Sequence, residues 1–135
     1  MTPLGATRVT LEEGLAQADV VSIHTPLTPQ TRHLINADNL KLLKTTTILV
    51  NTSRGPVIDE SALVDALTNN KLWGAGLDVY ENEPVIHPGL LTLDNVVLTP
   101  HIGSAEITWR QAMTEMVLTN IKAALDNQEP PNRIA

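Results

Sequence analysis

Apolar positions along the chain fall into short runs separated by amphipathic stretches. Asp19 to His24, centred on Val20-Val21-Ser22-Ile23, and Thr46 to Asn51, centred on Ile48-Leu49-Val50, are too short for helices and predict strands. Further strands are expected within Lys71 to Val79 and over Asn95 to Thr99. Between them lie helical patterns. Thr10-Leu11-Glu12-Glu13 has the form of a capping box, in which Thr10 and Glu13 each satisfy the other's free backbone N–H, and opens a helix to about Gln17. Asn36 is expected to cap a helix through Leu43, with Leu40 and Leu43 inward. Asp59 caps another through Asn69, with Ala62, Leu63, Ala66 and Leu67 on one face. Ser104 is expected to cap the longest helix, with Glu106 in its first turn, where the helix dipole favours a negative charge. There Trp109, Ala112, Met113, Met116, Val117, Ile121, Ala124 and Leu125 recur at helical spacing, and the Met113 and Met116 pair reads as core. Strands alternating with helices predict an α/β fold around a parallel sheet.

The 135 residues suffice for one domain with a real core. Trp73, Tyr80 and Trp109 are the aromatic residues and Phe is absent, so the core must be aliphatic. A net charge of -6 with scattered basic residues argues against nucleic acid as a partner. Absence of Cys excludes disulfides and thiolate metal sites, and the four His show no metal-ligand spacing. No apolar stretch approaches the ~20 residues of a membrane span. The opening residues lack a basic region followed by an apolar run, so a soluble cytoplasmic protein is the expectation.

Open α/β sheets bind ligands beyond the carboxyl ends of their strands. The polar, chemistry-bearing residues here follow the strands: His24-Thr25-Pro26-Leu27-Thr28, Asn51-Thr52-Ser53-Arg54-Gly55, Asp78-Val79-Tyr80-Glu81-Asn82-Glu83-Pro84, and Thr99-Pro100-His101-Ile102-Gly103-Ser104. One Arg, a choice of acidic residues and a His thus converge on one sheet edge. Such a set can reduce a 2-keto acid: a guanidinium grips the carboxylate in bidentate fashion, an imidazolium protonates the developing alkoxide, and a carboxylate orients that imidazolium. On chemistry alone, either Glu81 or Glu83 could be that carboxylate. His33 and His87 suggest only solvent-exposed or helix-end positions.

The segments His24 to Thr28, Asn51 to Asp59 (NTSRGPVID), Gly76 to Pro84 (GLDVYENEP) and Pro100 to Ser104 (PHIGS) resemble, in order and separation, the signatures of the D-isomer-specific 2-hydroxyacid dehydrogenases. The resemblance runs from about Leu4 to the end, and the tail is most similar to glyoxylate and hydroxypyruvate reductases. It implies a partial Rossmann-type doubly wound parallel sheet, the second half of an NAD(P)-binding domain, with NAD or NADP as cofactor and a small 2-keto or 2-hydroxy acid as substrate. It makes Arg54 the carboxylate-binding arginine, His101 the general acid/base and Glu83, immediately before Pro84, its acidic partner. Thr52, Ser53, Asp78, Gly103 and Ser104, together with Arg54 and His101, then line the nicotinamide pocket. His24, Pro26 and Thr31 make weaker cofactor-side contacts.

The family's domain opens with a strand, a Gly-rich turn and a helix whose N-terminus holds the pyrophosphate. Here the G-x-G of Gly74-Ala75-Gly76 enters a strand, where glycine is expected to let the strand pack closely on a helix. Residues 1–135 are therefore expected to form a single, N-terminally truncated NAD(P)-binding domain whose activity alone is doubtful. In the family's sheet order the strand ending at His24 would lose its neighbour. Its open edge would favour self-association or binding of a missing N-terminal half. The alternative function is a non-catalytic fragment serving as an interaction or NAD-sensing module.

Overall fold

The computed structural model describes residues 5–134, in two compact units, Met1–His101 and Ile102–Ala135. The first unit contains helix α1 (Leu11–Gln17), strand β1 (Val20–Ile23), the short helix α2 (Ala37–Leu40), β2 (Ile48–Asn51), a 3-10 turn at Gly55–Val57, α3 (Glu60–Thr68), β3 (Gly74–Leu77), a second 3-10 turn at Leu90–Thr92, and β4 (Val96–Leu98). The second unit contains α4 (Ile107–Leu125).

The four strands pair in parallel in the order β1-β2-β3-β4. Ile23, Asn51 and Leu77 stand side by side, and so do Val21, Leu49 and Ala75. Because side chains alternate along a strand, these residues share one face. That face packs with Leu15 of α1, Leu40 and Leu43, and Leu63, Ala66 and Leu67 of α3 in one cluster. Leu49 and Leu63 are fully buried, each contributing about 1.5–3 kcal/mol by leaving water. The opposite face bears Val20, Ile48, Val50, the two strand glycines and Val97; Val20 and Val97 are 58% and 68% exposed.

Local signals set the helix starts. Thr10 Oγ1 accepts from the Glu13 N–H while Glu13 returns the bond to the Thr10 N–H, completing the capping box. Asp59 accepts from the Ala62 N–H, and Asn36 from those of Asp38 and Asn39. Three expectations are corrected. Glu106, not Ser104, caps α4: its carboxylate accepts from the Thr108 and Trp109 N–H groups and is held below the usual carboxylate value by the Thr108 hydroxyl and then by those N–H groups. Met113 and Met116 are not core but exposed, because α4 has no other helix or strand within its unit. Gly74 serves the sheet and not a helix: a Cβ there would lie 2.7 Å from the Asn95 carbonyl oxygen on the neighbouring strand's approach. Among the described residues no helix is long and apolar enough to cross a membrane, and no group of three or more His, Asp or Glu could hold a metal ion.

Candidate active site

The parallel register brings four loops together at the carboxyl ends of the strands. Behind β2, the buried Asn51 side chain builds the loop that carries Arg54. Its Oδ1 accepts from the Ser53 N–H (3.0 Å) and hydroxyl (2.8 Å), and its Nδ2 donates to the Arg54 carbonyl (3.0 Å). The reading of the sequence missed Asn51; the signal is a polar residue ending a strand two positions before a Ser, where an Asx turn forms. Arg54 itself is exposed, one Nη donating to the Ser53 carbonyl. Gly55 follows because nothing larger fits: a Cβ would come within 1.9 Å of the Tyr80 carbonyl group. The Arg54 loop and the loop after β3 therefore touch backbone to backbone.

In that second loop Tyr80 is buried, and its hydroxyl donates toward the carbonyls of Leu77 (3.2 Å) and Thr99 (2.8 Å), joining the ends of β3 and β4. Burial and the nearby Asp78 charge push its phenol up. Its N–H donates to Glu83 Oε1 at 3.0 Å, and Glu83 Oε2 lies 2.7 Å from His101 Nδ1. Burial pushes the Glu83 carboxyl up, but the His101 and Tyr80 hydrogen bonds and the charges of His101 and Arg54 outweigh it and hold the group below its ordinary value. The Glu83-Pro84 peptide is cis, and His101 sits at φ 54 with its N–H on the Thr99 carbonyl. Asp78 is buried, accepts from the Thr99 hydroxyl and donates its N–H to the Asn51 carbonyl.

Glu81 does not reach His101. It pairs with Arg32 and hydrogen-bonds His33, so His33 is a half-buried hydrogen-bond partner and neither a free surface group nor a helix end. His87 is also partly buried, its Nδ1 accepting from the Gly89 N–H. At the end of β1, His24 Nε2 lies 2.8 Å from the Ser22 hydroxyl, and Thr31 donates to the Pro26 carbonyl at 2.7 Å. His24, Thr25, Pro26, Leu27, Thr52, Ser53 and Arg54 line a cleft of about 470 Å³. Gly103 and Ser104 lie in the second unit, in a turn closed by the Ala105 N–H on the Ile102 carbonyl.

Residues 1–103 match the family model described as the D-isomer specific 2-hydroxyacid dehydrogenase, NAD binding domain. The chain belongs to this dehydrogenase family. A glyoxylate reductase of Thermococcus onnurineus is 49% identical over 97% of this chain and 39% of its own length. Among solved structures, an NADPH-dependent glyoxylate/hydroxypyruvate reductase of Sinorhizobium meliloti, in complex with NADP and malonate, superposes with a TM-score of 0.94 at 40% identity, covering 100% of this chain and 43% of that one. A D-mandelate dehydrogenase of Rhodotorula graminis gives 0.90 at 38% identity over 98% of this chain and 40% of that one. The dehydrogenase-family chain thus spans about two-fifths of the length of these relatives.

A nicotinamide group requires polar partners beside an apolar slot, and the cleft after β1 and β2 offers both. The Thr25 hydroxyl is buried there without a hydrogen-bond partner, an acceptor and donor awaiting one, beside Pro26 and Leu27. The phosphate half of a dinucleotide finds no equivalent: among the described residues no Gly-rich turn opens a helix, and Gly74-Ala75-Gly76 lies within β3.

Proposed function

We propose that this chain is part of an NAD(P)-dependent oxidoreductase interconverting a small 2-keto acid and its 2-hydroxy acid, and that it carries the nicotinamide side of the cofactor domain together with the acid/base. Glyoxylate and hydroxypyruvate, named for its relatives, are the proposed substrates. The observation that carries the reading is the 2.7 Å contact between His101 Nδ1 and Glu83, beside the loop bearing Arg54. Arg54 pairs with the substrate carboxylate through its forked guanidinium. With Nδ1–H donating to Glu83, Nε2 of His101 is the nitrogen that gives a proton to the keto oxygen, or takes it back in oxidation. Glu83 stabilises the imidazolium and fixes the ring. When bound, the cofactor supplies or accepts the hydride. His24, Pro26, Thr52, Ser53 and Asp78 line its nicotinamide end, and Thr31 acts through the Pro26 carbonyl that it holds.

The test joins the chain to the N-terminal segment of an intact relative. In that fusion His101→Ala should lower turnover by roughly 10²–10⁴-fold, while Arg54→Ala should mainly raise KM for the keto acid. Full turnover without His101 would overturn the mechanism. The chain alone should bind NADPH more weakly than micromolar in a nicotinamide-fluorescence titration, since each missing charge-assisted hydrogen bond to phosphate is worth ~1.5–3 kcal/mol. A second reading, an interaction or NAD-sensing module, is favoured by one feature: among the described residues β1 pairs with β2 alone and leaves its other edge open. Cofactor binding without turnover in the fusion would select it.

A further inference from the structure

A polar cluster lies behind the acid/base pair, and no step of the proposed reaction uses it. Glu81 is held through both its main chain and its side chain. Its N–H donates to Glu60 Oε1 at 2.6 Å, and its Oε2 accepts from the Glu60 N–H at 3.4 Å, at the start of α3. Its Oε1 lies 2.6 Å from His33 Nε2 and 3.3 Å from Arg32 Nη2. The Glu81 side chain is 16% exposed, against 36% for Glu83 two residues on. Glu60 is buried, and that burial, reinforced by the Glu81 and Glu83 charges and opposed by the Glu81 N–H and by His87, raises its carboxyl.

These contacts join three segments distant in sequence. The turn bearing His33 is already fastened to the loop after Arg54, by the His33 N–H on the Pro56 carbonyl (2.8 Å) and the Ile35 N–H on the Val57 carbonyl (3.0 Å). His33 takes a left-handed φ of 50 there, which a residue other than glycine adopts at a cost unless its surroundings hold it. A carboxylate that served only to cap α3 would need no cation from that turn. Glu81, however, spans the turn and the helix, and its own peptide follows Tyr80, whose N–H fixes the Glu83 carboxylate.

We propose that Glu81 is a positioning residue. By tying its loop to Glu60 and His33, it holds the Tyr80 N–H and the Glu83 carboxylate where His101 Nδ1 stays hydrogen-bonded. This rests on reading Glu83 and His101 as the acid/base pair. The experiment follows the Nδ1–H signal of His101 by NMR in the whole chain with 15N-labelled histidine. Glu83→Ala removes the acceptor and should abolish the hydrogen-bonded signal, and if it does not, the pair itself is misread and the positioning proposal fails with it. With the pair established, Glu81→Ala should remove the signal or speed its exchange with water about tenfold or more, a local opening, while the backbone amide spectrum of β2 and β3 stays in place. Glu81→Gln keeps an acceptor for the Glu60 N–H and should partly rescue it. An unchanged signal in Glu81→Ala overturns the proposal. Should Glu81→Ala fail to fold, His33→Asn decides: the shorter side chain tolerates the left-handed φ but cannot reach Glu81, and faster exchange of His101 Nδ1–H supports the positioning role while an unmoved signal overturns it.

Discussion

Glu60 and Glu83 both bond to the loop after β3, yet their surroundings push them in opposite directions. Glu83 feels burial, but two hydrogen bonds and two positive neighbours win, and its pKa falls. An acid with a lowered folded pKa contributes stability above its unfolded value and loses it as pH drops through the folded one. The stability gap between the parent chain and Glu83→Gln, followed by denaturant unfolding, should therefore be present at neutral pH and close on acidification. For Glu60 burial dominates and the pKa rises. There the folded state prefers the proton, so stability is lost as pH climbs from the unfolded value through the folded one. Glu60→Gln keeps an acceptor for the Glu81 N–H and removes the buried charge. It should stabilise the chain at pH 7, and the advantage should vanish in acid. A neutral-pH loss on Glu60→Gln would mean that the Glu81 N–H bond to the carboxylate outweighs burial.

At the scale of the elements, the loops are held by close backbone approach as much as by side chains. Gly55→Ala would force a Cβ into the Tyr80 carbonyl at 1.9 Å; nothing flexible stands there to yield, so about 1–3 kcal/mol of destabilisation is expected, with disturbance of both the Arg54 and Glu83 loops. Leu49→Ala, at a fully buried position in β2, should cost about 2–5 kcal/mol in chemical unfolding. Much of this level is legible in the chain because its signals are local: the Thr10–Glu13 box, the Asp59 cap and the branched strand cores act over a few residues. The four chemistry-bearing loops could be placed after strands for the same reason. What could not be read depends on distant partners. His33 and Glu81 are 48 positions apart, so the histidine looked like a surface group. Gly55 gains its meaning from Tyr80, and Met113 and Met116 show core spacing without a core. Ser104 lost the cap to Glu106 because a carboxylate two residues later reaches two N–H groups at once.

For the molecule as a whole, the first unit is a sheet with helices packed on one face, and among the described residues β1 pairs with β2 alone. Val20 on β1 and Val97 on β4 present well-exposed branched side chains from the other face. In light scattering, the chain should grow in apparent mass as its concentration is raised. A Lys placed at Val20 should suppress that growth, because a charge on an edge strand discourages further pairing. A strand that paired with that edge would make thermal stability a matter of supply, governed by mass action. Any strand-bearing chain that binds the folded form but not the unfolded one adds RT ln(1 + [L]/Kd) to its stability. The melting temperature should then climb with the logarithm of that chain's concentration, including its own, so that a Tm quoted without a concentration would not describe this protein.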